Sequence, residues 1–208
     1  MNNKTLLITA SAGWLVLISF GLVKLYNYEF KAGPSGHVVT HWPSESQIHL
    51  DNKPYHLIMV AHPRCPCTRA TLSELESIMA QTQGKLSAYI LFTKPKQFSQ
   101  EWVKTDLFKN AQRIPSVYVF VDEDSQQARL FGGVTSGQTF LFDAKGELLF
   151  SGGITDSRGH EGDNAGKSAI IDVVQGRGTR LQRSLAFGCL LHDEDSTVND
   201  ELRGGHVN

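Results

Sequence analysis

At 208 residues the chain holds one domain of ordinary size plus extensions. A formal net charge of −1, with 20% charged residues, excludes a nucleic-acid partner held by bulk charge. Three cysteines are too few for a disulfide-stapled scaffold, and the odd number leaves at least one without an intrachain partner. Two of them, Cys65 and Cys67, lie one residue apart, a spacing that points to chemistry more than to structural bridging.

Thr5 to Val23 is a run of 19 residues without a charge. At about 1.5 Å per helical residue it is long enough for the roughly 30 Å of bilayer hydrocarbon. Lys24 with Tyr26, Tyr28 and Phe30 follows like an interfacial belt, and no small-x-small cleavage site appears between Lys24 and Lys31. Residues 1–31 are therefore expected to be an uncleaved membrane anchor. A four-residue head before the span is usually left in the cytoplasm, which places the domain outside it, in the periplasm of a cell with an inner membrane.

Residues 32–46 are expected to be a linker, with Ala32-Gly33-Pro34-Ser35-Gly36 its flexible joint. Val38-Val39 and Ile48-His49-Leu50 are expected as short leading strands. Tyr55 to Ala61 is an apolar run that reads as a buried strand. It leads into His62-Pro63-Arg64-Cys65-Pro66-Cys67-Thr68-Arg69, and then into a helix in which Leu72, Leu75 and Met79 recur at helical spacing. Pro66 suits a first helical turn, where no amide partner is needed. The unpaired N–H groups of that turn and the helix dipole favour a thiolate over a thiol, with Arg64 and Arg69 adding positive charge. Leu86–Phe92 is expected as a second strand, Ser99–Ala111 as one helix stopped by Pro115, and Val117–Val121 as a third strand. Gln126–Phe131 reads as a short helix. Thr139–Asp143 and Leu148–Ser151 form a hairpin, and Ala169–Val174 is the core-facing stretch of a last helix. Alternating strands and helices closed by a hairpin imply an α/β fold, a mixed central sheet with helices on both faces. The domain is placed at 47–176, followed by an extension at 177–208 that is partly disordered, loose from Asp193 to Asn208.

From Gln47 to Val174 this order of parts resembles the thioredoxin fold, in particular its membrane-anchored, TlpA-like extracytoplasmic branch. There a strand ends in a Trp-Cys-x-x-Cys turn that opens the first long helix, and Arg64-Cys65-Pro66-Cys67-Thr68 occupies the same place. Phe131-Gly132-Gly133-Val134, the hairpin strand Thr139–Asp143 and Lys145-Gly146-Glu147 match the family's closing hairpin, and Asp122 suits the Asp that ends the preceding strand. The His-Pro-x-Cys-Pro-Cys form is similar to a RedB-like group of thioredoxin-like membrane proteins. Two departures stand out. A Cys-x-Cys disulfide can form only as a small strained ring, which makes it easier to reduce and the couple comparatively oxidising. The family's cis-proline before the hairpin is absent, with Gly137 nearest its place in Thr135-Ser136-Gly137-Gln138.

The resemblance implies a membrane-tethered thiol–disulfide oxidoreductase acting on a protein thiol or disulfide, with no cofactor beyond its own redox-active disulfide. Cys65 is then the attacking thiolate, Cys67 the resolving thiol and His62 a base beside them. The alternative is a copper carrier for an envelope oxidase, with Cys65, Cys67 and His160 (or His62) as soft and imidazole ligands. Membrane-anchored copper chaperones of this fold use Cys-x-x-x-Cys, a spacing the chain lacks. A thiol peroxidase would place a threonine where His62 stands, three residues before Cys65. In the glycine-rich stretch 152–164, His160, Glu161, Asp163 and Asn164 are candidates for a substrate or metal site, or, in Asp163 or Asn164, for the cap of the next helix. Gly162–Ser168 lacks the first glycine of a phosphate-binding loop and follows no strand. Cys189, in an apolar island of a polar tail, is a packed small hydrophobe, a resolving thiol that folds back on the Cys-Pro-Cys turn, or a third sulfur ligand.

Overall fold

The computed structural model describes residues 2–82 and 84–191. The helix α1 (Asn3–Glu29), with residues through Lys31, forms one unit, and the chain from Ala32 onward forms a second. At 27 residues α1 is long and apolar enough to cross a bilayer, and none of its side chains is buried.

The second unit follows the order β1 (Tyr55–Ala61), α2 (Pro66–Gln81), β2 (Leu86–Lys94), α3 (Gln100–Val103), α4 (Asp106–Ala111), β3 (Val117–Glu123), α5 (Gln126–Leu130), β4 (Gln138–Asp143), β5 (Leu148–Gly153) and α6 (Ala165–Val174). Its single sheet runs β3-β2-β1-β4-β5. Strands β1, β2 and β3 are parallel, β4 is antiparallel to β1, and β5 is antiparallel to β4. This is the mixed, helix-covered sheet expected, a thioredoxin-like fold.

Strand β1 is central and apolar along its length because both of its faces are buried. Leu57, Met59 and Ala61 point to a core made with α2, α4 and α6, while Ile58 and Val60 point to the other side. The second core gathers Phe131, Phe140 and Phe142 with α5 and the segment before β1. Trp42 seats edge-on against Phe131 at 5.0 Å and Phe142 at 5.1 Å, with its indole N–H donated to the Ile48 carbonyl at 2.9 Å.

Several expectations change. The leading strands at Val38-Val39 and Ile48–Leu50 do not form; that chain is irregular, and its one ladder contact is an isolated bridge from His41 to Glu147. It covers the sheet face with side chains, Trp42 above all, instead of adding to the sheet edge. The segment expected as a linker is packed: Gly33 N–H donates to the Ala186 carbonyl at 2.9 Å, and Thr135 Oγ1 donates to Pro34 O at 2.8 Å. The single helix expected over Ser99–Ala111 is two, broken at Lys104-Thr105. Thr105 caps α4 and donates its hydroxyl to Pro63 O at 2.8 Å, a bond a continuous helix would not offer. Residues 183–191 lie along the end of the sheet: Ser184 N–H donates to Ser151 O at 3.2 Å, and Leu191 N–H to Val134 O at 2.8 Å. The looseness expected from Asp193 to Asn208 lies outside the described residues.

Asn164 caps α6, as its sequence position allowed, by accepting from Lys167 N at 2.8 Å. Lys167 Nζ lies 2.8 Å from Glu74 of α2, an ion pair with 11% and 5% of the two side chains exposed. The Gly-Lys-Ser run thus serves to join α6 to α2. Removing one member of such a buried pair strands the other, so Lys167→Met should cost about 3–5 kcal/mol in urea unfolding. The double variant Glu74→Leu/Lys167→Met should recover most of that loss.

Candidate functional site

Strand β1 carries the chain to His62, and the helix begins at Pro66, so the turn between them is short and anchored at both ends. Cys65 is the N-cap residue of α2, with Pro66 in its first turn and Cys67 one further on. Cys65 N–H donates to His62 O at 3.2 Å, and Thr68 Oγ1 to the same carbonyl at 3.0 Å. The loop before β4 backs this turn. Ser136 Oγ accepts from His62 N–H at 3.0 Å and lies 2.8 Å from Thr68 Oγ1, with both Ser136 and Thr68 fully buried. Gly137 stands where a cis-proline was missed; no cis peptide is present among the described residues. Its φ of +88° and the 2.8 Å from a built Cβ to Thr71 Oγ1 explain why a glycine fits against α2 there.

All three thiols meet at this turn. Cys65 and Cys67 are buried, at 2% and 5% exposure. Cys189, 124 residues further on, brings its Sγ to 3.2 Å from Cys65 Sγ. Cys65 is held well below the usual thiol range, at about 4, first by the Cys67 thiol, against the opposing effect of burial, and then by the Cys189 thiol and the backbone N–H groups of Thr68 and Cys189. Cys67 is pushed upward by donating to Cys65, by burial and by the neighbouring sulfur charge. Cys189 is also pushed up, by burial first and then by Cys65. The site therefore holds one thiolate and two thiols that donate to it.

The charged residues named from sequence contribute differently than expected. Arg64 extends over the Trp102 ring at 5.2 Å, and Arg69 pairs with Asp106 at 2.6 Å in the open. His62 accepts the Arg64 amide at Nδ1, 3.2 Å away, and sits edge-on to Trp102 at 5.6 Å. Burial lowers its pKa more than the Cys65 charge raises it, so it is neutral near pH 7. His62 thus shapes the turn by its backbone and ring, while donors from the other thiols stabilise the thiolate. His160 is exposed and lies near its own loop, with Nδ1 3.2 Å from Arg158 O. Glu161 accepts from Ser73 Oγ at 2.9 Å. Among the described residues no group of three or more His, Cys, Asp or Glu is arranged to hold a metal ion, the three converging cysteines included, and His160 does not join Cys65 and Cys67 in one.

Three contributors were not singled out from the sequence: Ser136, Trp102 and Arg158. The Arg158 guanidinium only partly offsets the upward shifts of Cys67 and Cys189. Only its place in the glycine-rich stretch before α6 signalled it. An open cleft of about 400 Å³ reaches Cys65 from the side of Arg64, Arg69, Thr105 and Asp106, and neither Cys67 nor Cys189 lines it.

No protein-family model matches the chain, and no curated protein does. Among solved structures it is similar to an uncharacterized conserved protein from Geobacillus kaustophilus, at 16% identity over 81% of this chain and 96% of that one, with a TM-score of 0.55. A hypothetical protein from Sinorhizobium meliloti is similar at 16% identity over 78% and 96%, with a TM-score of 0.54. The exposed lipoprotein thioredoxin of Streptococcus pneumoniae aligns at 12% identity over 59% and 84%, with a TM-score of 0.40. At such identities the likeness is one of fold.

The thiolate is the alkylated form, and a pKa lowered to about 4 keeps Cys65 in that form at every pH above it. Iodoacetamide labelling of the reduced protein, read by peptide mass, should therefore modify Cys65 at a nearly constant rate from pH 8 to about pH 5. A tenfold fall per pH unit over that interval would show an ordinary thiol.

Proposed function

We propose that the protein is a membrane-tethered thiol–disulfide oxidoreductase whose attacking group is the Cys65 thiolate. The observation that carries this reading is a buried sulfur at a helix N-terminus, stabilised as an anion by two neighbouring thiols, with an open cleft leading to it alone. In the reaction, Cys65 attacks one sulfur of a substrate disulfide. The S–S bond breaks, a mixed disulfide forms on Cys65, and the other substrate sulfur leaves as a thiolate. A second thiol of the protein then displaces the remaining substrate sulfur, so two electrons pass from the protein to the substrate. Run in reverse, the same steps oxidise a substrate dithiol.

The substrate class is a protein disulfide or dithiol outside the cytoplasm. The apolar helix α1 supports tethering, and on this reading the domain lies at the outer face of the inner membrane. Stabilising the Cys65 thiolate stabilises the reduced protein and makes Cys65 a good leaving group, both of which favour an oxidising couple.

In a glutathione buffer the midpoint potential should therefore lie above the roughly −270 mV of thioredoxin. Cys65→Ser should reduce turnover of a dithiol-driven insulin disulfide assay to the rate without protein. Retained activity in that variant would remove Cys65 from its role.

A further inference from the structure

We infer that Cys189 is the resolving thiol, so that the redox couple of this site is Cys65–Cys189 and Cys67 remains a thiol throughout the cycle. This deepens the oxidoreductase reading and rests on it.

Two sulfurs compete to attack the mixed disulfide on Cys65. Cys67 is two residues along, in the first turn of the helix that Cys65 caps, and its thiol also lies within hydrogen-bond reach of Cys65. A bond between them closes a ring across a single residue, with the strain that follows. Cys189 comes from a separate segment and arrives opposite Cys65, with Sγ atoms 3.2 Å apart and no residue of the turn between them. Forming that bond needs about 1 Å of further approach, which a side-chain torsion and the give of one strap supply.

The strap is built to hold Cys189 there. Ser136 N–H donates to the Cys189 carbonyl at 2.8 Å, and Leu191 N–H to Val134 O at 2.8 Å. Thr135 and Leu190 pair as an antiparallel bridge. Gly188 rides so close over the Ser136 carbonyl that a Cβ there would collide with it, which allows the strap to lie flat on the loop that backs the active turn. Cys189 is thereby fixed by backbone pairing to the same loop whose Ser136 hydroxyl fixes His62 and Thr68.

The chemistry is consistent with this placement. While Cys65 is a thiolate, its charge holds Cys189 protonated, and Cys189 serves as a donor. Once Cys65 carries the substrate sulfur, that charge is gone and no longer holds Cys189 protonated. Cys189 sulfur then attacks Cys65 Sγ. The Cys65–substrate bond breaks, the substrate leaves as a thiolate that takes up the proton Cys189 lost, and the Cys65–Cys189 disulfide holds the two electrons' worth of oxidation.

The test is a single turnover of the full-length reduced protein in detergent with the aromatic disulfide DTNB, followed by thiol release and disulfide peptide mapping. Wild type and Cys67→Ser should each release two equivalents of thionitrobenzoate and yield a Cys65–Cys189 cross-link. Cys189→Ser should release one equivalent and retain the adduct on Cys65. A Cys65–Cys67 cross-link in wild type, with Cys67→Ser arrested at the adduct, would overturn the inference and leave the oxidoreductase reading intact. Mapping of the wild type decides this even if the Cys189 variant fails to fold. Undiminished release from Cys65→Ser would overturn the oxidoreductase reading itself.

Discussion

A sulfur anion taken out of water has to be met by donors, and the end of this domain is arranged to meet one at Cys65. The helix start supplies unpaired backbone N–H groups and the positive end of a dipole. Those alone act on any cysteine at a helix N-terminus. What is particular here is that two further thiols converge on the same atom, one from the first turn of the same helix and one from 124 residues further along the chain. Three sulfurs sharing one negative charge hold it where an isolated buried thiol would stay protonated.

That convergence depends on how the strap and the segment after α1 close over the loop before β4. Thr135 is held from one side by Pro34 and from the other by the bridge to Leu190, and Gly33 is itself bonded to Ala186. The loop with Ser136 and Gly137 is therefore sandwiched between the two ends of the domain. In a thioredoxin-like site a proline ordinarily occupies this loop. Here a glycine with positive φ lets it press on α2, while the strap, rather than a proline ring, faces the turn. Access from that side is taken by the protein's own chain, and the remaining approach to Cys65 is the cleft beside Arg64, Arg69 and Asp106.

The position of the cleft follows from a small irregularity. The helix after β2 breaks at Lys104-Thr105, and Thr105 binds the Pro63 carbonyl at the start of the active turn. Trp102, on the short piece before the break, stacks on Phe98 at 4.9 Å and gives Arg64 and His62 an aromatic wall. Arg64, which looked like a helper of the thiolate, is in this way committed to the rim of its entrance.

The parts legible along the chain were those whose signal is local. The apolar run of β1, the proline after Cys65, the helical spacing of Leu72, Leu75 and Met79, the hairpin around Lys145-Gly146 and the apolar length of α1 each follow from neighbours within a few residues, and these give the fold and the cysteine turn. Residue periodicity could not show that Val38–Leu50 would cover the sheet by means of Trp42 rather than pair with it, since both arrangements bury the same apolar groups. Nor could it show that Thr105 would find Pro63. The identity of the second sulfur facing Cys65 lay furthest from reach: spacing made Cys67 the evident partner, because it is near in sequence, while Cys189 comes to 3.2 Å from far along the chain. Cys189 and Arg158 reach the site through backbone pairing and loop packing across 124 and 93 residues of chain, contacts that exist only once the sheet has assembled and its ends have been brought to one edge.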